Sequence, residues 1–161
     1  MSYNISKKVE GTFEDTINKV TEELKKEGFG IISEIDLKEK FKEKLNVDFR
    51  NYKILGACNP ALAFKAIQQE DKIGTMLPCN ILVQEHENGE VEVSAINPLA
   101  SIGAVNNESL QSIAEEVTGR LKVVIENLSL FSKGWTFLLQ FLNSIVFFFY
   151  EDFQIPHGSK T

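Results

Sequence analysis

The chain has 161 residues, 43% of them apolar and 25% charged, with only 4 prolines, which is enough to bury about two-thirds of its unfolded surface around one core. A net charge of −6 and a pI near 5.0 exclude a protein built to neutralise phosphates, which needs a basic face, so nucleic acid is not an expected partner. The N-terminal segment MSYNISKKVEGTFEDTINKV holds no uninterrupted apolar run and no small-residue cleavage site; it does not read as a secretory signal, and the expected location is cytoplasmic, with Cys58 and Cys79 as reduced thiols.

Residues 3–9 are rich in β-formers. From Thr12 the pattern changes: Phe13, Ile17, Val20 and Leu24 recur at three- and four-residue spacing, with Glu14, Asp15, Lys19, Glu22 and Glu23 on the other face, which predicts an amphipathic helix. Gly11 or Thr12 serves its start, and Gly28 stands where a left-handed residue ends it. A strand is expected over residues 29–35. Asp36 then caps a short helix over 37–45 whose Leu37, Phe41 and Leu45 recur every fourth residue. Residues 52–57 (YKILGA) read as a buried strand, and Pro60 begins another helix with Asn59 as its N-cap, since proline at the first helical position loses no hydrogen bond. Residues 73–77 read as a connection. Strands over 80–85 and 91–96 flank His86, Glu87, Asn88, Gly89 and Glu90, whose Asn-Gly pair signals a hairpin. After a loop beginning at Pro98, Asn107 caps a last helix carrying Leu110, Ile113, Val117, Leu121, Val124 and Leu128 on its apolar side. Strands and helices in this order predict an α+β domain: a mainly antiparallel sheet covered on one face by helices.

The expected domain spans residues 1–128, and residues 129–161 form an apolar tail outside its pattern. Trp135 and Tyr150 stand at the two ends of a segment, WTFLLQFLNSIVFFFY, that contains no charge. As a helix of about 25 Å it reaches the short end of the membrane-spanning range, and the terminal aromatics suit a membrane interface. Its phenylalanines equally suit packing on the domain or on a second subunit, and a shifted reading frame is a third origin for such a chain end.

The segment YKILGACNPALAFKAIQQEDKIGTMLPCNILVQE, with GFGIISEIDLKEKFKEKLNVD before it and NPLASIG after it, resembles the DUF302 family of small bacterial and archaeal proteins over roughly residues 1–128. The resemblance implies a two-layer architecture like that of the TATA-box-binding protein, with one curved antiparallel sheet and two main helices packed on one face, and a homodimer. It supplies no enzyme name, and whether the chain is an enzyme stays open.

The residues themselves single out ACNP and LPCN. If their strands are neighbours, Cys58, Asn59, Pro60, Pro78, Cys79 and Asn80 gather around one cleft, where the first turn of the helix at Pro60 offers free N–H groups to a small acidic ligand. The same two thiols beside a helix start could instead work as a redox pair or hold a soft metal. The bland alternatives are that both cysteines are small buried hydrophobes and that the asparagines only satisfy turns and caps. A purely structural or adaptor domain would have no pocket at all. Zinc would need two further donors, and His86 and His157 show no metal spacing with the cysteines. Glu34, Asp71 and Glu85 are acid/base candidates by type alone. No Ser-His-Asp context, GxxxxGK[ST], GxGxxG or HExxH occurs, so hydrolase, nucleotide and zinc-protease readings have no starting point, and neither a cofactor nor a catalytic residue is named.

Overall fold

The computed structural model describes residues 2–105 and 107–128. The stretch 135–150, with its membrane, packing and frame-shift readings, lies outside the described residues. Among the described residues, no helix is long and apolar enough to cross a membrane.

The strands β1 (Asn4–Val9), β2 (Gly30–Asp36), β3 (Tyr52–Cys58), β4 (Cys79–Glu85) and β5 (Val91–Ile96) form one sheet in the order β1-β5-β4-β3-β2. Every neighbouring pair is antiparallel. The helices are α1 (Phe13–Lys26), α2 (Leu37–Leu45), α3 (Pro60–Gln69), α4 (Pro98–Ile102) and α5 (Gln111–Asn127). The architecture is α+β, as the order of elements predicts.

Local chemistry sets the element ends. Thr12 caps α1 by accepting from the Asp15 amide, Asp36 caps α2 through Glu39 N–H, and Asn59 caps α3 through Leu62 N–H. Gly28 ends the α1 turn at φ +80, where a Cβ would also meet Asn59 Nδ2 at 3.0 Å. In the β4–β5 hairpin, His86 N–H donates to Glu90 O at 2.8 Å and Gly89 N–H to His86 O at 2.9 Å.

Alternation along the strands puts Leu55, Ala57, Ile81, Val83, Val91, Val93 and Ala95 on one face, all buried. Val20 and Leu24 of α1 and Leu121, Val124 and Ile125 of α5 bury their apolar stripes against that face, so α1 and α5 are the two main helices. Ser6, Lys8, Asn80, Ser33 and Ile35 are exposed on the other face, alongside half-buried Glu92, Ser94, Ile54 and Leu82.

Two elements go beyond the expected order. The connection expected over residues 73–77 falls largely within a 3₁₀ turn, Asp71–Met76, and the loop after Pro98 holds α4. Both are too short for periodicity to register, and both are fixed by tertiary partners. Ile73 is buried in the 3₁₀ turn, while Thr118 of α5 accepts the Leu99 amide at 3.2 Å and donates to Asn97 Oδ1 at 3.3 Å. Asn107 caps a second 3₁₀ turn, Glu108–Leu110, that leads into α5, so its capping role holds one turn earlier than the helix itself.

Candidate functional site

β3 ends at Cys58 and β4 begins at Cys79, and the two strands are neighbours, with Ala57 opposite Cys79 and Gly56 opposite Asn80. This pairing brings the ACNP and LPCN segments to one end of the sheet. There the chain leaves β3 into α3 and arrives at β4 through the 3₁₀ turn and Pro78, so the sheet end is roofed by α3, the turn, α4 and α5.

The space under that roof is a cleft of about 70 Å³. Leu62, Ala63 and Ala66 of α3 form one wall, Ile73, Met76 and Leu77 a second, Pro98, Ser101 and Ile102 a third, and Ile113, Ala114 and Val117 of α5 the last. Ala57, Cys58, Asn59 and Cys79 close the sheet side, and no lining residue carries a charge. The walls are tied together by side chains: Asn107 Nδ2 donates to Gln69 O at 3.0 Å, joining the end of α3 to the approach to α5.

Of the six residues singled out in the sequence, Cys58, Asn59 and Cys79 line the cleft; Pro60, Pro78 and Asn80 do not. Pro78, which follows a cis peptide bond from Leu77, packs over Gly56 on the other side of the sheet, where a Cβ on Gly56 would meet Pro78 Cγ at 2.7 Å and would also collide with Ser33 Oγ. Asn80, opposite Gly56, is exposed on that same face. Period-two alternation separates Cys79 from Asn80, because adjacent strand residues point to opposite sides. The carboxylates of Glu34, Asp71 and Glu85 are not among the lining residues. Glu85 instead accepts from Asn51 Nδ2 at 2.6 Å.

The helix start does not make thiolates of the two cysteines. Both are free and half-buried. Burial pushes the Cys79 thiol up to about 11, with the neighbouring Cys58 charge as a second cause, and burial likewise raises Cys58. Loss of water outweighs the helix N-terminus because the surroundings are almost wholly apolar. Among the described residues there is no group of three or more His, Cys, Asp or Glu side chains placed to hold a metal ion.

Sequence reasoning missed most of the cleft: Ala63, Met76, Ile102 and Ile113 carry no chemical signature, and only their convergence in space makes them a site. Arg120 was also missed. Its Nη1 lies 3.8 Å from where a Gly28 Cβ would stand, a point 3.0 Å from Nδ2 of Asn59, the N-cap of α3. Its donors are already engaged, with Nη1 on Glu27 O at 3.0 Å and Nη2 on Glu116 Oε1 at 2.8 Å.

None of the curated proteins matches the chain. A crystal structure of an uncharacterized conserved DUF302 protein from Bacillus stearothermophilus superposes with a TM-score of 0.75 at 29% identity, covering 80% of this chain and 99% of that one. The family model for DUF302, a domain of unknown function, matches residues 5–128, which span all five helices and all five strands except Asn4, the first residue of β1. The chain belongs to the DUF302 family.

Proposed function

We propose that the domain binds a small, mainly apolar ligand in the cleft at the end of the sheet, and that it does so as a homodimer. The observation that carries the ligand reading is the lining itself: uncharged, contributed by α3, the 3₁₀ turn, α4, α5 and the sheet, and left unfilled by the chain's own side chains. A gap of this kind forfeits packing that a well-filled core would keep. The cleft is smaller than the roughly 150 Å³ needed for benzene, so a short aliphatic group fits and a ring does not. An acidic end on that ligand would meet no uncommitted cation in the lining. It would rest on first-turn amides of α3 such as Ala61 N–H, beside Asn59. The elevated pKa values of Cys58 and Cys79 favour this binding role over thiol redox chemistry.

Butanol, butyrate and butylamine test the reading by amide chemical-shift titration. Burying three or four methylene-sized groups yields about 3 kcal/mol, so dissociation constants of millimolar order or weaker are expected. Butanol and butyrate should shift amides in residues 57–59, 62–66 and 113–117, butyrate should bind at least as well as butanol, and butylamine should bind worst. Ala63→Phe, which fills the cleft from a half-buried position, should abolish the shifts while the protein stays folded. No saturable shifts with any of the three, or shifts that survive Ala63→Phe, would sink the proposal.

A further inference from the structure

We propose that the ligand of the cleft is a short acyl chain on a polar, singly anionic head, and that the head lies in a second hollow, between α3 and α5, with its carboxylate on Lys65. This rests on the ligand reading above and names the class of molecule.

The second hollow is a groove of about 300 Å³, against about 70 Å³ for the cleft. Leu62 and Ile113 line both spaces, so cleft and groove adjoin at these two side chains. Beyond them the chemistry of the walls changes. Lys65, Gln68 and Gln69 of α3 form one side of the groove. Ser112 and Glu116 of α5, with Ser109 of the preceding turn, form the other. Side-chain amides and hydroxyls both donate and accept, which suits an amide link in the ligand. Asn107 ties the two sides together: its Nδ2 donates to Gln69 O at 3.0 Å, and its Oδ1 accepts from the Ser109 amide at 3.1 Å and hydroxyl at 2.6 Å.

Charge selects the sign of the head. Arg120 neutralises Glu116, its Nε and Nη2 donating to one carboxylate oxygen at 3.2 and 2.8 Å. Lys65, by contrast, makes no hydrogen bond or ion pair among the described residues, and neither do the side chains of Gln68 and Ser112. The groove thus presents one uncommitted cation, which the cleft lacks. Spacing sets the length of the head. Lys65 follows Leu62 by three residues, about 4.5 Å along α3 and on the same helix face. One residue of extended chain spans about 3.5 Å, and the flexible lysine stem covers the rest. Butyrate, with its carboxylate on the first-turn amides of α3, stops short of this cation; an N-acyl amino acid reaches it.

N-butyrylglycine and N-butyrylglycinamide, which differ in the charge of the head, test this by amide chemical-shift titration of the full chain. Both should shift amides at residues 68, 69, 109 and 112, which butanol leaves in place. The acid should bind about three- to fivefold more tightly than the amide, as a solvent-exposed ion pair allows. Lys65→Gln, at an exposed position, should bring the two ligands to equal affinity and leave butanol binding unchanged. Butanol binding without groove shifts from the acyl ligands, or a preference for the acid that survives Lys65→Gln, overturns the groove alone. Failure of butanol and both acyl ligands to bind overturns the cleft reading with it.

Discussion

Cys79 should react with iodoacetamide about 20-fold more slowly at pH 7 than an unhindered cysteine. A thiol held near 11 instead of the ordinary value of about 8.5 has about 300-fold less thiolate at neutral pH. The more basic thiolate is the better nucleophile, and a Brønsted slope of about 0.45 returns about 13-fold of that loss. Half-burial of the side chain slows the reaction further. The assay is the pH profile of modification in a Cys58→Ser background, followed by intact mass from pH 6 to 10. Log rate should climb by one per pH unit throughout; an inflection at or below pH 8 would refute the argument that burial dominates the site. The same shift bears on stability. With the folded pKa above the unfolded one, the folded chain keeps a proton between about pH 8.5 and 11 that the unfolded chain has lost. The stabilisation is thus fully present below about pH 8.5 and falls by up to about 1.4 kcal/mol per pH unit through that window. Cys79→Ala should therefore lose about 2 kcal/mol less than wild type between pH 7 and 10 in urea titrations.

Gly56→Ala should cost about 1–3 kcal/mol, because the new methyl meets Ser33 and Pro78 together. Adding Ser33→Gly should recover part of that loss but not all, since Pro78 remains; full recovery in a thermal double-mutant cycle would show that Pro78 yields freely. Asn59→Ala removes the α3 cap and should lower the melting temperature by about 4 °C, for a loss of about 1 kcal/mol. An unchanged melting temperature would mean that water replaces the cap. Leu24→Ala, at a side chain with no exposure between α1 and the sheet, should cost about 2–5 kcal/mol in denaturant titrations.

The parts of the fold legible in the sequence are those where one local rule acts alone. The α1 stripe of Phe13, Val20 and Leu24, the caps at Asp36 and Asn59 and the Asn88-Gly89 hairpin each express backbone or amphipathic chemistry that needs no distant partner. Strand and helix ends fell within a residue or two of the expected positions for the same reason, save the start of α5, which the Glu108–Leu110 turn delays to Gln111. Asp71–Met76 and Pro98–Ile102 were not legible. A six-residue 3₁₀ turn and a five-residue helix make too few internal hydrogen bonds to declare themselves, and they exist because Ile73 is buried and because Asn97 and Thr118 meet across twenty residues of chain.

The candidate site was half legible, and the division follows one physical line. Polar and sulfur-bearing residues draw attention in a sequence, so Cys58, Asn59 and Cys79 were found; but alternation sends Asn80 to the opposite face, and Pro78 packs there over Gly56. What makes the space a candidate binding site is the opposite kind of residue. Ala63, Ala66 and Ala114 are small where a larger side chain would have filled the gap, and nothing in a row of alanines announces a cavity. The apolar walls also decide the chemistry of the cysteines they surround. By withholding water they raise both thiols, which disfavours nucleophilic work and suits the binding role we propose, in which the pair would be two more soft, weakly polar surfaces of the cleft.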